Sequence, residues 1–227
     1  MTRRLVMCGG GSLAVEIATF LRDLDAGERG DDVLVTDVVS PGAGRAVDLT
    51  AVCGNAFTTH ADIASVVAKE AKQFIVCIGD PVVRHTVYVE IVRLGLTLAR
   101  IVHPRAYISP SAVIGDGAIV YPGVFIGPFA QVGENVLLNA QVVIGHDARL
   151  DDSVVLSPSA RLCGHAVCGT AAFLGTGASI LPNVSLGAYS KLTAGSVLSR
   201  SVGDGFLMHG NPAAGRHMYR VPTDEAT

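Results

Sequence analysis

The residues of this 227-residue chain best suited to chemistry are the adjacent pair His146 and Asp147. A neutral imidazole can take a proton from an amine or a hydroxyl near pH 7. A neighbouring carboxylate fixes its tautomer and raises its basicity. Adjacency in sequence does not by itself make that hydrogen bond, and an exposed histidine without a role is the competing reading. Gly164 follows His146 after three hexapeptides, and Asn139 precedes it by one hexapeptide and one position. A glycine leaves its amide open to a ligand carbonyl, and an asparagine offers both a donor and an acceptor. The four residues form a polar cluster in an otherwise apolar stretch.

A second constellation lies near the start. Gly9-Gly10-Gly11-Ser12 follows a short apolar run and precedes a helical pattern, a place where backbone amides can meet a phosphate. Asp37 ends the next apolar run, where a carboxylate can accept a ribose hydroxyl bond. Asp80 and Arg84 sit at another junction of the same kind, and an arginine there can hold a diphosphate. The glycine spacing is not G-x-G-x-x-G, because position 14 is Ala. As a nicotinamide dinucleotide signal it is weak, and a tight structural turn explains the glycines equally well. Arg84 has its own bland alternative as a solvated helix residue.

The elements that position His146 are written in a six-residue rhythm. Every sixth position from Ile108 to Leu198 is Ile, Val, Leu or, once, Cys168. Two residues before each stands Ala, Val or Ser, and Gly often follows, as at Gly115, Gly127, Gly145 and Gly169. Helices repeat at 3.6 residues and strands at two. A period of six predicts a parallel β-helix of hexapeptide repeats. Three short faces, one hexapeptide each, make one coil. Ile108, Ile126, Ile144, Leu162, Ile180 and Leu198 then form one inward column. The glycines are expected to meet tight corner torsions. About five coils at roughly 4.8 Å spacing give a prism on the order of 25 Å long.

The first hundred residues alternate strand and helix patterns. Strands are expected at 4–8, 33–37, 74–79 and 98–102, and helices at 14–24, 61–72 and 82–94, with a glycine breaker at Gly27 and Gly30. This order predicts a small parallel sheet with helices on its faces. Pro104 and Pro110 mark the passage into the repeats, and the rhythm breaks at Asp204. Three segments follow: 1–103, 104–203 and 204–227.

Bulk properties narrow the function classes. With Lys+Arg 17 against Asp+Glu 20, the formal charge of -3 gives no reason to expect nucleic acid or an anionic membrane as partner. No apolar run is long enough to insert into a membrane, and the start lacks the long apolar region of a signal peptide. The five cysteines (Cys8, Cys53, Cys77, Cys163, Cys168) are scattered and odd in number. They read as reduced thiols of a cytoplasmic protein. No metal is expected either. His165 stands one position beyond true stacking on His146, and the repeats hold no third histidine.

At these residues the chain resembles the bacterial hexapeptide-repeat sugar O-/N-acyltransferases, which include sialic acid O-acetyltransferase and the UDP-4-amino-sugar N-acetyltransferases. The stretches that carry the resemblance are CGGGSLAVEI, FIVCIGDPVVR, IVHPRAYIS, LLNAQVVIGHDARL, LSPSARLCG and HGNPAAGR. The resemblance implies an α/β Rossmann-like substrate-binding domain over 1–103. A left-handed parallel β-helix acyltransferase domain follows over 104–203, with a C-terminal cap over 204–227. It also implies a homotrimer with active sites between neighbouring prisms and acetyl-CoA as acyl donor.

By that resemblance His146 is the general base and Asp147 orients it. Gly164 binds the thioester carbonyl, and Asn139 lines the same pocket. Gly9, Gly10, Gly11, Ser12, Asp37, Asp80 and Arg84 match the nucleotide-sugar site. The chain departs from the family twice. Ser12-Leu13-Ala14 stands where a glycine-histidine-glycine is usual, and Val155 where a second active-site histidine is frequent. His165 is the candidate replacement.

The function expected is transfer of an acyl group, by default acetyl, to an amine or hydroxyl of a sugar or nucleotide-sugar. Three alternatives remain at this stage: an acyltransferase with a non-sugar acceptor, a noncatalytic trimeric binding or scaffold protein, and a dinucleotide-dependent enzyme.

Overall fold

The computed structural model describes residues 3–25, 33–40, 49, 52, 56–66 and 73–218. The expected breaker at Gly27 and Gly30, and Cys53, lie outside them. The chain divides into two compact units, Met1–Pro104 and Arg105–Thr227.

In the first unit, β1 (Arg3–Cys8), β2 (Val33–Val39), β3 (Thr58–His60), β4 (Gln73–Val76) and β5 (Thr97–Leu98) form one sheet in the order β3-β2-β1-β4-β5. Every pairing is parallel. The central strand β1 carries Leu5, Val6, Met7 and Cys8, all at most 2% exposed. Such an unbroken apolar run is what a parallel strand covered on both faces requires. Helix α1 (Ser12–Asp25) buries Ala14, Ile17, Ala18 and Leu21, the i, i+3, i+4, i+7 stripe of a helix lying on a sheet. Helix α2 (Pro81–Arg93) starts at a capping aspartate with proline in its first turn, both favoured there. A last short strand, β6 (Ile101–Val102), follows.

Three expectations are corrected. The strand expected over 98–102 is two short strands, β5 and β6, with Ala99 and Arg100 between them. Residues 61–66 form bends and a turn in place of the first half of the expected helix over 61–72, and 67–72 lie outside the described residues. Strand β3, Thr58–His60, is absent from the expected elements because so short a run shows no alternation.

The second unit is a parallel β-solenoid. Sixteen two-residue strands, from β7 (Tyr107–Ile108) to β22 (Val197–Leu198), recur every six residues. Strands three apart in sequence pair in parallel and in register, as Ile126 with Ile144 and Ile144 with Leu162. The inward column Ile126, Ile144, Leu162, Ile180 and Leu198 is at most 1% exposed, and Cys168 fills a stacking place at 0%. Each such side chain contributes on the order of 1.5–3 kcal/mol by leaving water. After the last coil, β23 (Phe206–His209) pairs parallel with β21 (Lys191–Leu192). It then turns into the antiparallel β24 (Ala214–His217).

The repeat glycines have a different reason from the one expected. The left-handed position of each corner lies three residues after the inward residue. Non-glycine residues mostly occupy it, among them Gln141, Asp147, Ser159 and His165, with φ of 57 to 61°. The glycine directly after the inward residue is needed for close stacking. A Cβ on Gly127 would stand 2.9 Å from His146 N, and one on Gly145 would stand 2.6 Å from Gly164 N. The coils touch there through backbone alone.

Candidate active site

His146 and Asp147 occupy the corner between β13 (Val143–Ile144) and β14 (Arg149–Leu150). His146 Nδ1 and Asp147 Oδ2 are 2.9 Å apart, with side chains 60% and 40% exposed. In the neutral ring the carboxylate holds the proton on Nδ1. The lone pair then belongs to Nε2, the atom that accepts a proton. The left-handed backbone at Asp147 turns its carboxylate back toward the preceding ring, and aspartate tolerates that conformation better than most residues.

Gly164 lies one coil on, directly against this ring. A Cβ on it would stand 2.6 Å from His146 Nε2 and 2.7 Å from Cε1. Glycine at 164 therefore keeps the proton-accepting nitrogen open. At two equivalent corners the amide is capped by an acid from the following coil: Glu134 N donates to Asp152 Oδ1, and Ala188 N to Asp204 Oδ1. One coil beyond Gly164 stands Pro182, whose side chain has no acceptor. The Gly164 N–H thus has no acidic cap from the next coil.

His165 belongs to this corner as well. Its true stacking partner is Asp147, one coil earlier, and His165 also has the left-handed φ of 58°. Its Nε2 lies 3.8 Å from Asp147 Oδ2. Its ring meets that of His146 edge-on at 5.2 Å, with 88° between the planes. The offset of one position between the two histidines is overcome because both lean on the aspartate between them.

Asn139 and Val155 are not part of this cluster. Asn139 lies on the preceding corner, between β12 (Leu137–Leu138) and β13. Its Oδ1 accepts from the Ala140 amide at 2.7 Å. Val155 is in β15 (Val155–Leu156), one coil above Leu137, and is 3% exposed. A whole solenoid face separates these two from His146. The single cluster expected from the sequence is therefore two clusters on successive corners of one prism.

In the first unit several expected ligand groups are engaged by the fold. Asp80 caps α2, its Oδ1 accepting from Val82 N at 3.0 Å and Val83 N at 3.1 Å. Arg84 is 0% exposed, and its Nη1 donates to the Val76 and Ile78 carbonyls at the end of β4. It is neither a diphosphate clamp nor a solvated helix residue; it ties α2 to the sheet. Asp37 is 6% exposed and bonds His60 Nε2 through Oδ1 at 2.8 Å. His60 Nδ1 lies 3.3 Å from Ser65 Oγ. No sequence motif marks His60, so nothing in the chain's pattern points to this pair.

Gly9, at φ 115°, brings β1 against β4: a Cβ there would meet Cys77 O at 2.7 Å. Gly11 and Ser12 are exposed at the start of α1, and Gly11 has open space around it. The turn lies where the chain leaves β1 between β2 and β4. In open parallel sheets that switch point is the usual ligand crevice.

Burial pushes the Cys8 thiol up to about 12 and raises Cys168 further still. Neither is a thiolate near neutral pH. Among the described residues no helix is long and apolar enough to cross a membrane.

No protein-family model and no curated protein matches the chain. Solved structures do. A histidine-to-asparagine variant of perosamine N-acetyltransferase from Caulobacter crescentus, in complex with CoA and GDP-perosamine, is 29% identical. It matches over 93% of this chain and 96% of its own, with a TM-score of 0.79. The acetyltransferase domain of PglB from Neisseria gonorrhoeae FA1090, in complex with acetyl coenzyme A, is 25% identical over 95% and 100%, with a TM-score of 0.78. WeeI from Acinetobacter baumannii AYE shares the fold at 20% identity and a TM-score of 0.77. The resemblance read from the repeats and motifs thus holds in three dimensions: the chain is similar over nearly its whole length to a perosamine N-acetyltransferase and to an acetyltransferase domain seen with acetyl coenzyme A.

Proposed function

We propose that the protein transfers an acetyl group from acetyl-CoA to the amino group of a nucleotide-linked sugar. The observation that carries this reading is the exposed His146–Asp147 pair, with Nε2 left open by Gly164. It stands on a chain similar over its length to an N-acetyltransferase seen with CoA and GDP-perosamine. That protein was also solved with a histidine replaced by alanine, which agrees with a histidine at the centre of the chemistry.

The reaction is direct. The sugar amine attacks the thioester carbonyl while His146 Nε2 takes its proton, and Asp147 steadies the imidazolium through Nδ1. The Gly164 N–H donates to the carbonyl oxygen as negative charge develops there. The tetrahedral intermediate then collapses, the C–S bond breaks, and CoA leaves with a proton returned by His146. Cys8 and Cys168, buried and held as thiols, do not serve as acyl-enzyme nucleophiles in this reading.

The working unit in this reading is a homotrimer of left-handed prisms, found in the cytoplasm. Asn139 sits one corner away from His146, so a neighbouring copy is the natural way to bring the two chemistries to one acceptor. Tyr107 and Phe125, stacked at 5.1 Å and 57% and 41% exposed, form an apolar face suited to such packing. The first unit, in this reading a Rossmann-like domain, binds the nucleotide at the turn Gly9 to Ser12 with Asp37 behind it. The last segment, 204–227, of which 204–218 are described, is in this reading the cap of the solenoid.

The test is CoA release from acetyl-CoA across nucleotide-linked 4-amino sugars, sialic acids and amino acids. Release that requires a nucleotide-linked amino sugar and yields an acetamido product supports the reading. Release with only a hydroxyl acceptor or an amino acid overturns the acceptor assignment.

A further inference from the structure

The corner that carries the base also has the make-up of a metal chelate. One ligand atom from each of His146, Asp147 and His165 lies within 4.8 Å of the others. Asp147 Oδ2 is shared, 2.9 Å from His146 Nδ1 and 3.8 Å from His165 Nε2. A tetrahedral zinc ion with bonds of about 2.0–2.1 Å holds its ligand atoms about 3.3 Å apart, and the two measured separations bracket that value. All three groups are exposed, so no buried charge has to be uncovered and water or a small ligand can fill the fourth place. The backbone presents the donors from two coils locked by the Asp147 and His165 amide bonds to Pro128 and His146 carbonyls, at 3.0 Å each.

We propose that His146, Asp147 and His165 bind a divalent transition metal of the zinc type, and that occupancy switches the enzyme off. The second half rests on His146 being the base. In a neutral imidazole only one nitrogen has a free lone pair. A metal on Nδ1 takes that lone pair and moves the ring proton to Nε2. The nitrogen facing Gly164 then cannot accept the proton of an attacking amine, and Asp147 is withdrawn from its orienting bond. The metal is an inhibitor in this scheme and takes no part in acetyl transfer. Two imidazoles and one carboxylate favour copper, zinc and nickel over magnesium, which prefers all-oxygen ligands and keeps its waters.

The experiment uses the untagged full chain, freed of metal by dialysis against chelator. Zinc chloride is titrated by calorimetry, and CoA release is measured in parallel. The expected result is one zinc ion per chain. His165→Asn and Asp147→Asn each weaken binding at least tenfold; asparagine is chosen because it tolerates the left-handed backbone at both places. His217→Ala, in the C-terminal hairpin, leaves binding unchanged, and thermal melts confirm that every variant is folded. Turnover of the unmodified chain falls at least tenfold at saturating zinc, is unaffected by magnesium and returns on adding chelator. Absence of zinc binding at 100-fold excess, or binding that survives His165→Asn, overturns the metal site and leaves the acetyl-transfer reading standing. Zinc bound at this corner with undiminished turnover overturns the switch and removes His146 as the base.

Discussion

Among the described residues, two histidine–aspartate pairs of nearly equal length sit in opposite surroundings. His146–Asp147 spans 2.9 Å on a solenoid corner with side chains 60% and 40% exposed; His60–Asp37 spans 2.8 Å between the end of β3 and the interior of β2 with 17% and 8% exposed. Water screens the first, which therefore adds little to stability and leaves the ring open to solvent. The second is closed in by the sheet, where leaving one partner bare is costly. Pair geometry alone does not separate a base from a brace. Exposure and what stands against the free nitrogen do.

The comparison breaks most sharply at His146. His146→Asn should lower kcat by about 10²–10⁴-fold, the usual worth of a general base, with a melting temperature within a few degrees of the parent. Gly164→Ala is the next largest test. The added methyl would stand on His146 Nε2, 2.6 Å away, so turnover should fall at least tenfold. The apparent KM for acetyl-CoA should rise as well, because in the proposed reaction the donor carbonyl meets the same amide.

The reciprocal substitution falls on the buried pair. Asp37→Ala should cost about 1–3 kcal/mol of stability, as for a hydrogen-bonding group left without its partner, read by denaturant unfolding of the first unit. kcat at saturating acceptor should change little. A large kcat loss there with unchanged stability would move chemistry into the sheet unit and undo the contrast. The smallest expected effect concerns the thiols. With Cys8 and Cys168 raised far above neutral pH by burial, iodoacetamide at pH 8 should leave both unlabelled until the protein is unfolded. Activity should be unaffected by their state.

The solenoid is largely legible in the sequence because its physics is repetitive. A side chain at every sixth position must stack on the one a full coil away, so Ile144, Leu162 and Cys168 declare their places through the repeat itself. The meeting of His146, Asp147 and Gly164 at one corner follows from that register. Two things do not. The contact of His165 depends on side chains leaning diagonally across Asp147, which a stacking rule based on Cα register misses. Asn139 is close to His146 in sequence, yet a hexapeptide and one position carry the chain along a whole face and around to the next corner.

In the sheet unit the signals are local and packing decides the outcome. Asp80 and Arg84 have the residue types of a phosphate site, but one caps α2 and the other is buried against the carbonyls of Val76 and Ile78. Nothing in the composition of a strand-to-helix junction distinguishes a capping aspartate from a ligand-binding one. The repeat glycines show a related point. Gly145 is glycine because the next coil's backbone is 2.6 Å from where its Cβ would be, whereas the left-handed turn itself is made by Asp147.

The most direct test of the central claim is kcat/KM for acetyl-CoA-dependent CoA release, with a nucleotide-linked amino sugar as acceptor, measured on the parent and on His146→Asn at equal, verified fold. The parent should turn over, and the variant should lose at least 100-fold while still binding acetyl-CoA. A variant retaining parental kcat/KM would show that the exposed pair is not the base.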